Sequence, residues 1–328
     1  MSRTGAIIVT HNSESVIGRC LDSCQKAGIE PVVVDNASDD GTCRIVSEKQ
    51  IARLIVNVQN RGFAAAVNQG VRECDHRYLL LLNPDVELLT AVNDLELACE
   101  VNGAAAGLLL DRSGKPQLGF AFRRLPKASA LVFEVLGINR VWRANPVNRR
   151  YRCLDLPLNS PVDVEQPAGA FWMIRRDAWE RIGGMDESFH PLWFEDVDLA
   201  ARLLAKGIRT RLEPSVQAIH DGGHSVRSLA SSSRYLYWYT SLLRYSTKHY
   251  PPLKRRIVAL AATLGVIGRM VTGIVTVSGT VPVQVHFKVI RLALHLAWSG
   301  RIGERTIGPP VVNEDSGLKA SEYSHWTN

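Results

Sequence analysis

Short apolar runs alternate with amphipathic segments along the first third of the chain. The runs that predict buried strands lie at 6–10, 31–35, 53–58, 78–82 and 104–110. The segments that predict helices lie between them at 14–27, 64–74 and 91–101, and a further helix opens at 39–42. Regular alternation of strands and helices is typical of a largely parallel sheet covered by helices. The pattern therefore predicts an α/β fold.

The pattern becomes irregular from 111 to 167, where basic and proline-containing stretches indicate an insertion. Further elements are then predicted as a strand at 168–174, helices at 177–182 and 195–206, and strands at 208–212 and 216–219. Gly207 is the expected C-cap of the second of these helices. The last strand ends at His220, which makes this histidine a residue at a strand end.

The C-terminal region is apolar from 257 to 285, but Arg269 and Pro282 interrupt it. Neither uninterrupted run, 257–268 or 270–281, reaches the roughly 18 to 20 residues that a membrane-spanning helix needs. We therefore expect a membrane-surface or re-entrant element. The alternative is a helical hairpin that packs on the rest of the protein or forms a homodimer.

Charge is distributed unevenly over the 328 residues. The stretch from Arg227 to Gly303 contains eleven Lys or Arg and no Asp or Glu, whereas the whole chain carries a net charge of +7, so the remainder is mildly acidic. A cationic and apolar region suits the anionic inner leaflet of a membrane. It does not indicate nucleic-acid binding, because no nucleic-acid-binding motif is present. We predict domains at 1–226 and 227–305 and a flexible tail at 306–328.

The cysteines give no sign of a metal or disulfide framework. They are scattered and form no CxxC pair, at positions Cys20, Cys24, Cys43, Cys74, Cys99 and Cys153. This pattern favours reduced thiols. No cleavable, positively charged apolar segment precedes the first strand, so a cytoplasmic location is expected.

Polar residues follow four of the predicted strands. They are Thr10-His11-Asn12, Asp35, Asn60-Arg61-Gly62 and Asn83-Pro84-Asp85. Ligands of open α/β sheets bind outside the carboxyl ends of the strands, so these residues are expected to line one crevice. There, Asp85 could hold a divalent metal and, through it, a diphosphate. The alternatives are structural, since Asn-Pro-Asp is ordinary turn chemistry and Asp35 could cap the following turn.

The crevice lacks two common phosphate-binding motifs. There is no GxGxxG after the first strand and no GxxxxGK[ST], which argues against a dinucleotide-dependent dehydrogenase and a P-loop NTPase. A nucleotidyltransferase is disfavoured as well, because residues 10–14 contain no glycine.

A second acidic group lies far downstream at Glu195, Asp196 and Asp198, and His220 follows it. A carboxylate at a helix N-terminus can act as a general base, with Asp198 the more structural acid. The three acids could instead only favour the helix dipole. His220 could be an ordinary loop histidine, and His224 is a rival ligand.

Taken together, the ordered motifs resemble those of the family 2 inverting glycosyltransferases, and most closely the bacterial rhamnosyltransferase-like branch. The motifs are IVTHN at 8–12, VVDNASDDGT at 33–42, NRGF at 60–63 with Asn68, NPD at 83–85, GGMDE at 183–187 and FEDVDL at 194–199. The resemblance covers about residues 5–226. It implies a GT-A nucleotide-diphospho-sugar transferase fold, with a Rossmann-like, mixed and mainly parallel sheet and a helical, basic and apolar C-terminal extension.

The resemblance also implies residue roles. Asp196, with Glu195 beside it, corresponds to the catalytic base, and Asp85 and His220 correspond to ligands of Mg²⁺ or Mn²⁺. The residues implied in donor binding are Thr10, His11, Asn12, Asp35, Arg61, Gly62, Asn68, Asn83 and Asp85. Thr10 and Asp35 would contact the base and ribose, Arg61 the base, and His11 would stack on the base. Asn83 departs from the family pattern because it replaces the first carboxylate of a full DxD motif.

The expected function is metal-dependent, inverting transfer of a sugar such as rhamnose from a dTDP- or UDP-sugar. The expected acceptor is a hydroxyl of a polysaccharide or of a glycan carried on a polyprenyl diphosphate. We expect the protein at the cytoplasmic face of the cell membrane, without a nucleic-acid partner, and a homodimer stays open. The alternative is a non-catalytic nucleotide-sugar or glycan-binding protein on the same fold.

Overall fold

The computed structural model describes residues 3–222, 229–276 and 281–300, without the side chains of 272–276. The predicted tail at 306–328 lies outside the described residues, as does His224, the rival of His220 as a ligand. The chain divides into two compact units: Met1–Leu125 with Arg149–Ser228, and Pro126–Asn148 with Leu229–Asn328.

The first unit contains all the strands of the described chain. They are β1 (Thr4–Thr10), β2 (Glu30–Asp35), β3 (Arg53–Val56), β4 (Tyr78–Leu82), β5 (Val86–Leu88), β6 (Gly103–Leu110), β7 (Phe122–Arg123), β8 (Val162–Val164), β9 (Gln166–Pro167), β10 (Phe171–Arg175) and β11 (Arg209–His220). The described helices of the chain are α1 (Glu14–Lys26), α2 (Thr42–Lys49), α3 (Phe63–Arg72), α4 (Asn93–Asn102), α5 (Ala128–Val135), α6 (Ile138–Val141), α7 (Pro146–Tyr151), α8 (Arg176–Ile182), α9 (Glu195–Ala205), α10 (Ser231–His249), α11 (Pro252–Thr276) and α12 (Val283–Ser299).

Nine of the described strands form one mixed sheet, in the order β3-β2-β1-β4-β10-β6-β11-β5 with β8 paired to β11. Strands β1 to β4 are parallel to one another, and β6 and β11 form a second parallel pair. Strand β10 joins the two groups because it runs antiparallel to both β4 and β6. Six strands therefore point the same way, and their carboxyl ends meet at one edge.

The middle of the sheet is buried on both faces, and strand β4 is the clearest example. All five of its residues, Tyr78–Leu82, are buried, as expected for an apolar run in the middle of a parallel sheet. Strand β6 is likewise buried throughout and consists of small and aliphatic residues. A Cβ at Gly107 of β6 would collide with the ring of Phe171, so only glycine lets β10 pack this closely.

The predicted α/β fold with a mainly parallel sheet and a C-terminal helical region is confirmed, with differences in detail. The strand predicted at 168–174 begins at Phe171, because β10 first pairs with β4 where Phe171 lies opposite Leu82. The strands predicted at 208–212 and 216–219 form one strand, β11, whose register shifts between Glu213 and Gln217. A bulge of this kind continues a strand where the alternation of the sequence breaks down.

The second unit is helical in the described residues. Helix α11 packs against α5, α10 and α12. Arg269 does not divide the apolar segment, since α11 runs without a break from Pro252 to Thr276. Its guanidinium donates to the Tyr239 hydroxyl and, at 3.4 Å, to the carbonyl of Glu134, so its charge is turned toward other helices of this unit. In the part of the chain described, no helix combines the length and hydropathy needed to cross a membrane.

Candidate active site

The carboxyl ends of β1 and β2 hold Thr10 and Asp35 side by side. The two residues are register partners in the parallel pair and both are fully buried. The Thr10 hydroxyl donates to Asp35 Oδ1 at 2.8 Å, and Ser38 donates to the same carboxylate from its amide (2.9 Å) and its hydroxyl (2.5 Å). Asp35 is therefore fixed in orientation before any ligand binds. Ser38 belongs to the motif at 33–42 but was not singled out from the sequence.

The next residues of the β1 loop are tied to the same turn. The His11 ring lies 3.0 Å, through Nδ1, from the carbonyl oxygen of Asn36. Asn12 adopts a left-handed backbone conformation, with φ of 52°, and its amide donates to the Ser38 hydroxyl at 2.8 Å. Its side chain accepts from the amide of Asp39 at 2.9 Å. Asn12 thus joins the two loops, while the His11 ring remains half-exposed at the crevice.

Arg61 and Gly62 connect the crevice to the loop that precedes α9. The Arg61 side chain is exposed, whereas its carbonyl lies 3.2 Å from the His190 ring nitrogen Nδ1. Gly62 has a φ of +83°, and a Cβ there would lie 2.6 Å from the same nitrogen. Asn36 holds this segment through a 3.2 Å hydrogen bond to the Gly62 carbonyl. Glycine is required here by both conformation and close approach.

Asn68 is placed differently from the other predicted donor-binding residues. Its side chain exchanges two 2.9 Å hydrogen bonds with the backbone of Met185, and its amide also donates to Glu187. A Cβ at Gly184 would lie 2.7 Å from its Oδ1. These contacts hold the GGMDE segment against α3, so the structure gives Asn68 a role in positioning that loop.

Asp85 and His220 are brought together by the pairing of β5 with β11. His220 pairs with Val86, the residue after Asp85, and the Asp221 amide donates to the Asp85 carbonyl at 3.2 Å. As a result, His220 Nε2 lies 3.5 Å from Asp85 Oδ1, and both side chains are buried. Within the described residues, His220 Nε2 has no hydrogen-bond partner.

Gln117 fixes the orientation of the His220 ring. Its Nε2 donates to the His220 carbonyl at 2.8 Å, and its Oε1 lies 2.9 Å from His220 Nδ1. Because Oε1 can only accept, His220 Nδ1 carries the hydrogen and Nε2 presents a lone pair. Phe120 stacks on a face of the ring, with ring centroids 4.9 Å apart. Gln117 and Phe120 lie in the irregular region after 111, where the sequence pattern carried no signal.

The protonation state of His220 fits a metal ligand. Burial lowers the pKa of His220, although the Asp85 and Asp221 carboxylates act in the opposite direction. The ring is therefore neutral near pH 7, and its Nε2 lone pair faces the Asp85 carboxyl group. An imidazole nitrogen and a carboxylate oxygen arranged in this way suit a divalent cation such as Mn²⁺. Within the described ranges, no group of three or more His, Cys, Asp or Glu could hold a metal ion.

Two arginines bring positive charge close to this pair. Arg19 of α1 and Arg112 after β6 both donate to Asp221 Oδ2, at 3.0 and 2.5 Å. A small cavity is lined by Arg19, Arg112 and Asp221 together with Asp85. Neither arginine was predicted from the sequence, because the residues that meet here are far apart in the chain.

Asp196 is held by backbone and side-chain donors at the start of α9. Its Oδ2 accepts from Gln166 Nε2 at 3.3 Å and from the Gly169 amide at 3.4 Å, and its Oδ1 accepts from the Val197 amide at 2.8 Å. Burial nevertheless raises the pKa of Asp196, while Arg123 and the amide donors lower it. A carboxylate in this setting is a stronger base than an ordinary surface aspartate. Gln166 and Arg123 were also missed from the sequence.

Glu195 is the more deeply buried acid of the pair. Burial and the charge of Asp196 together raise the pKa of Glu195 well above its ordinary value. Among the described residues, its Oε2 has no hydrogen-bond partner. The two preceding residues, Trp193 and Phe194, have φ values of 73° and 67°, a region that bulky side chains rarely adopt. The strained backbone therefore leads directly into the two acids at the start of α9.

Asp198 has a structural environment, as expected. It is fully buried and accepts from Arg202 Nε at 2.7 Å, one turn further along α9. The same guanidinium donates to the carbonyls of Ile182 and Gly184, at 2.9 and 2.7 Å. Asp198 thereby anchors α9 to the loop after α8 and is not available to a substrate.

A short chain of contacts links the acid pair to the Asp85 region. Gly169 contacts Asp196, and the next residue, Ala170, accepts from the Asn83 amide at 3.1 Å. Asn83 itself is half-buried and begins the turn that carries Asp85. The structure thus gathers Thr10, Asp35, Asp85, His220 and Asp196 at one edge of the sheet.

Comparison with known proteins agrees with this architecture. Residues 6–99 match the family model described as glycosyl transferase family 2, and residues 150–224 match one described as N-terminal domain of galactosyltransferase. The solved structure of the mannosyltransferase PcManGT from Pyrobaculum calidifontis, in complex with GDP-Man and Mn²⁺, has a similar fold, with a TM-score of 0.51 and 16% identity over 91% of this chain and 88% of that one.

Two curated relatives are rhamnosyltransferases. Rhamnosyltransferase WbbL of Escherichia coli (strain K12) is 27% identical over 253 residues, which cover 69% of this chain and 86% of the relative. N-acetylglucosaminyl-diphospho-decaprenol L-rhamnosyltransferase of Mycobacterium tuberculosis (strain ATCC 25618 / H37Rv) is 28% identical over 240 residues, covering 67% of this chain and 76% of the relative.

The fold is that of the GT-A glycosyltransferase structures, as the similarity to the PcManGT structure indicates. More narrowly, residues 6–99 match the glycosyltransferase family 2 model, in agreement with the resemblance of the motifs to that family.

Proposed function

We propose that this protein is an inverting rhamnosyltransferase that uses a nucleoside-diphosphate sugar and a divalent metal. The observation that carries the proposal is the joining, at one sheet edge, of the basic Asp196 carboxylate with the facing pair Asp85 and His220. The names of the two rhamnosyltransferase relatives supply the choice of sugar.

Asp196 would act as the general base. In the proposed step, the acceptor hydroxyl gives its proton to Asp196 while its oxygen attacks the anomeric carbon from the face opposite the diphosphate. The bond between that carbon and the diphosphate oxygen breaks, so a nucleoside diphosphate leaves and the anomeric configuration inverts. A positioned base of this kind contributes about 10² to 10⁴ in rate. Burial keeps Glu195 protonated over a wider pH range. Glu195 would therefore support Asp196 and would not act as the base in its place.

Asp85 and His220 would hold the metal, and the strand ends would hold the nucleotide. A divalent cation at this site would neutralise the negative charge that develops on the leaving diphosphate. The oriented Asp35 carboxylate, backed by Thr10 and Ser38, offers an acceptor for ribose or base donors. The His11 ring, in the loop after β1, and Arg61, in the loop after β3, would contact the base. The donor would be a dTDP- or UDP-sugar.

The proposed acceptor is a glycan on a polyprenyl diphosphate. One relative is named for N-acetylglucosaminyl-diphospho-decaprenol, and we extend that acceptor class to this chain. Such lipids are reached at a membrane surface, so the proposal places the protein at the cytoplasmic face of the cell membrane.

The test is an assay of nucleoside diphosphate release with Mn²⁺, a panel of nucleotide sugars and a polyprenyl-diphosphate-linked acceptor. We expect release from dTDP-rhamnose, lowered about 10² to 10⁴-fold in Asp196→Asn with donor affinity retained. Asp75→Asn is the matched control, because Asp75 is exposed and precedes β4 at the opposite edge of the sheet. Full activity in Asp196→Asn would exclude Asp196 as the base, and turnover of another donor alone would exclude rhamnose.

A further inference from the structure

Helix α11 carries an apolar stripe that the rest of the described protein does not cover. The stripe consists of Leu253, Ile257, Leu260, Leu264, Ile267 and Val271, each between 40% and 70% exposed. Their spacing alternates between four and three residues, so they form one line along the helix. In the described stretch from Ile257 to Val271, every exposed residue is apolar or glycine.

The opposite face of α11 is already used for packing. Val258, Ala259, Ala262 and Val266 are fully buried there. At Gly265 a Cβ would collide with the Val135 carbonyl, so α5 approaches the helix backbone closely. The exposed stripe is therefore not the inward face of an amphipathic helix but a second apolar surface. A water-exposed helix would carry polar residues in these positions.

The charges around the stripe indicate what covers it. From Leu229 to Gly300 the sequence has nine Lys or Arg and no Asp or Glu. Lys254 and Arg256 are exposed in the first turns of α11, on either side of the stripe. On the neighbouring α12, Phe287 and Trp298 are 57% and 89% exposed. Aromatic and basic side chains beside an apolar stripe are typical of helices that lie in the interface of an anionic bilayer.

A second copy of the chain fits the stripe less well. In a pair formed through this heptad-like line, the flanking positions near the start of the helix would be Lys254 and Arg256 in both copies. Stable coiled-coil pairs place opposite charges at those positions, and this part of the sequence offers none. The cationic flank therefore favours an anionic lipid over self-association.

We propose that α11 docks on an anionic phospholipid surface through its Leu253–Val271 stripe, with Lys254 and Arg256 at the headgroups. Because docking requires neither donor nor acceptor, it can succeed or fail independently of the proposed transferase function. It would keep the enzyme at the surface where a lipid-linked acceptor is found.

The experiment is sedimentation of the full-length protein with vesicles of phosphatidylcholine, alone or mixed with phosphatidylglycerol. We expect binding to the mixed vesicles, weakened by salt. Leu260→Gln with Leu264→Gln should lower the partition coefficient about tenfold or more. Lys254→Gln with Arg256→Gln should reduce binding to the mixed vesicles toward that of pure phosphatidylcholine. The matched control is Leu97→Gln with Val101→Gln, which changes two exposed apolar residues of α4 in the other unit.

Thermal unfolding of each variant checks that it folds. If Leu260→Gln with Leu264→Gln does not fold, Lys254→Gln with Arg256→Gln still tests the proposal. Unchanged vesicle binding in both α11 variants would overturn the proposal. So would a lipid-free dimer that Leu260→Gln with Leu264→Gln dissociates, since the stripe would then be a subunit interface. Vesicle binding that appears only after removal of residues 301–328 would identify that segment as the natural cover.

Discussion

Replacing Gln117 by leucine should weaken metal binding without touching either proposed ligand. Gln117 donates to the His220 carbonyl and accepts from His220 Nδ1, at 2.8 and 2.9 Å. Leucine is one bond shorter than glutamine and has no polar atom, so it can make neither contact. The ring would then lose the hydrogen bond that selects its tautomer and that directs Nε2 toward Asp85.

The expected magnitude follows from these two contacts. Each hydrogen bond contributes about 0.5 to 1.5 kcal/mol to stability, so losing both should cost the variant about 1 to 3 kcal/mol. Partners that orient a metal-binding histidine are typically worth 10- to 100-fold in metal affinity, about 1.4 to 2.8 kcal/mol. Phe120 still stacks on the ring, which keeps the loss within this range. Gln117 is thus a positioning residue in this account.

Calorimetric titration with Mn²⁺, without any nucleotide sugar, measures the effect directly. Gln117→Glu keeps an acceptor for His220 Nδ1 and should retain most of the affinity that Gln117→Leu loses. Gln59→Leu, at an exposed position of the same unit, is the control for the substitution itself. If folded Gln117→Leu binds Mn²⁺ as tightly as the wild type, Gln117 does not position His220 for a metal.

Two further predictions concern the acids of α9. Burial raises the pKa of Glu195 above its ordinary 4.5, so the folded state binds the Glu195 proton more tightly than the unfolded state does. The stability that this tighter proton binding gives is lost as the pH rises from 4.5 through the raised pKa. In that window Glu195→Gln should gain on the wild type by up to about 1.4 kcal/mol per pH unit in the free energy of unfolding, measured by urea denaturation at several pH values; parallel curves would contradict this. Asp198→Asn should lower the free energy of unfolding by about 3 kcal/mol, because the half-buried Arg202 loses its buried charge partner. An unchanged urea midpoint for Asp198→Asn would show that the carbonyls of Ile182 and Gly184 suffice for Arg202.

Strand-end residues were the part of the site that the sequence could predict. An apolar run such as 78–82 identifies a buried strand, and the polar residues after it must then lie at the carboxyl edge of the sheet. This reasoning placed Thr10, Asp35 and Asp85 correctly at that edge without any knowledge of the register. The roles of these residues remain predictions.

Contacts set by register and by long-range packing could not be predicted in the same way. Gln117 meets His220 across 103 positions of sequence, from a segment with no periodic pattern. Arg269 looked like an interruption of an apolar run, but a long side chain can turn its charge toward a neighbouring helix while the backbone continues. Asn68 was assigned to the donor through its motif, whereas its contacts with Met185 appear only once the loop after α8 is folded.

The residues that depart from ordinary folding rules lie together at the proposed reaction centre. Left-handed backbone at Trp193 and Phe194 costs of order 1 to 3 kcal/mol per residue. Among the residues that the structure describes, neither Glu195 Oε2 nor His220 Nε2 has a hydrogen-bond partner. None of these arrangements stabilises the empty protein, and the fully buried sheet around β4 and β6 must offset them. Under the proposed function, a cation, a diphosphate or a hydroxyl proton that enters the crevice would supply partners for the buried polar groups, which is the expected property of a preorganised transferase site.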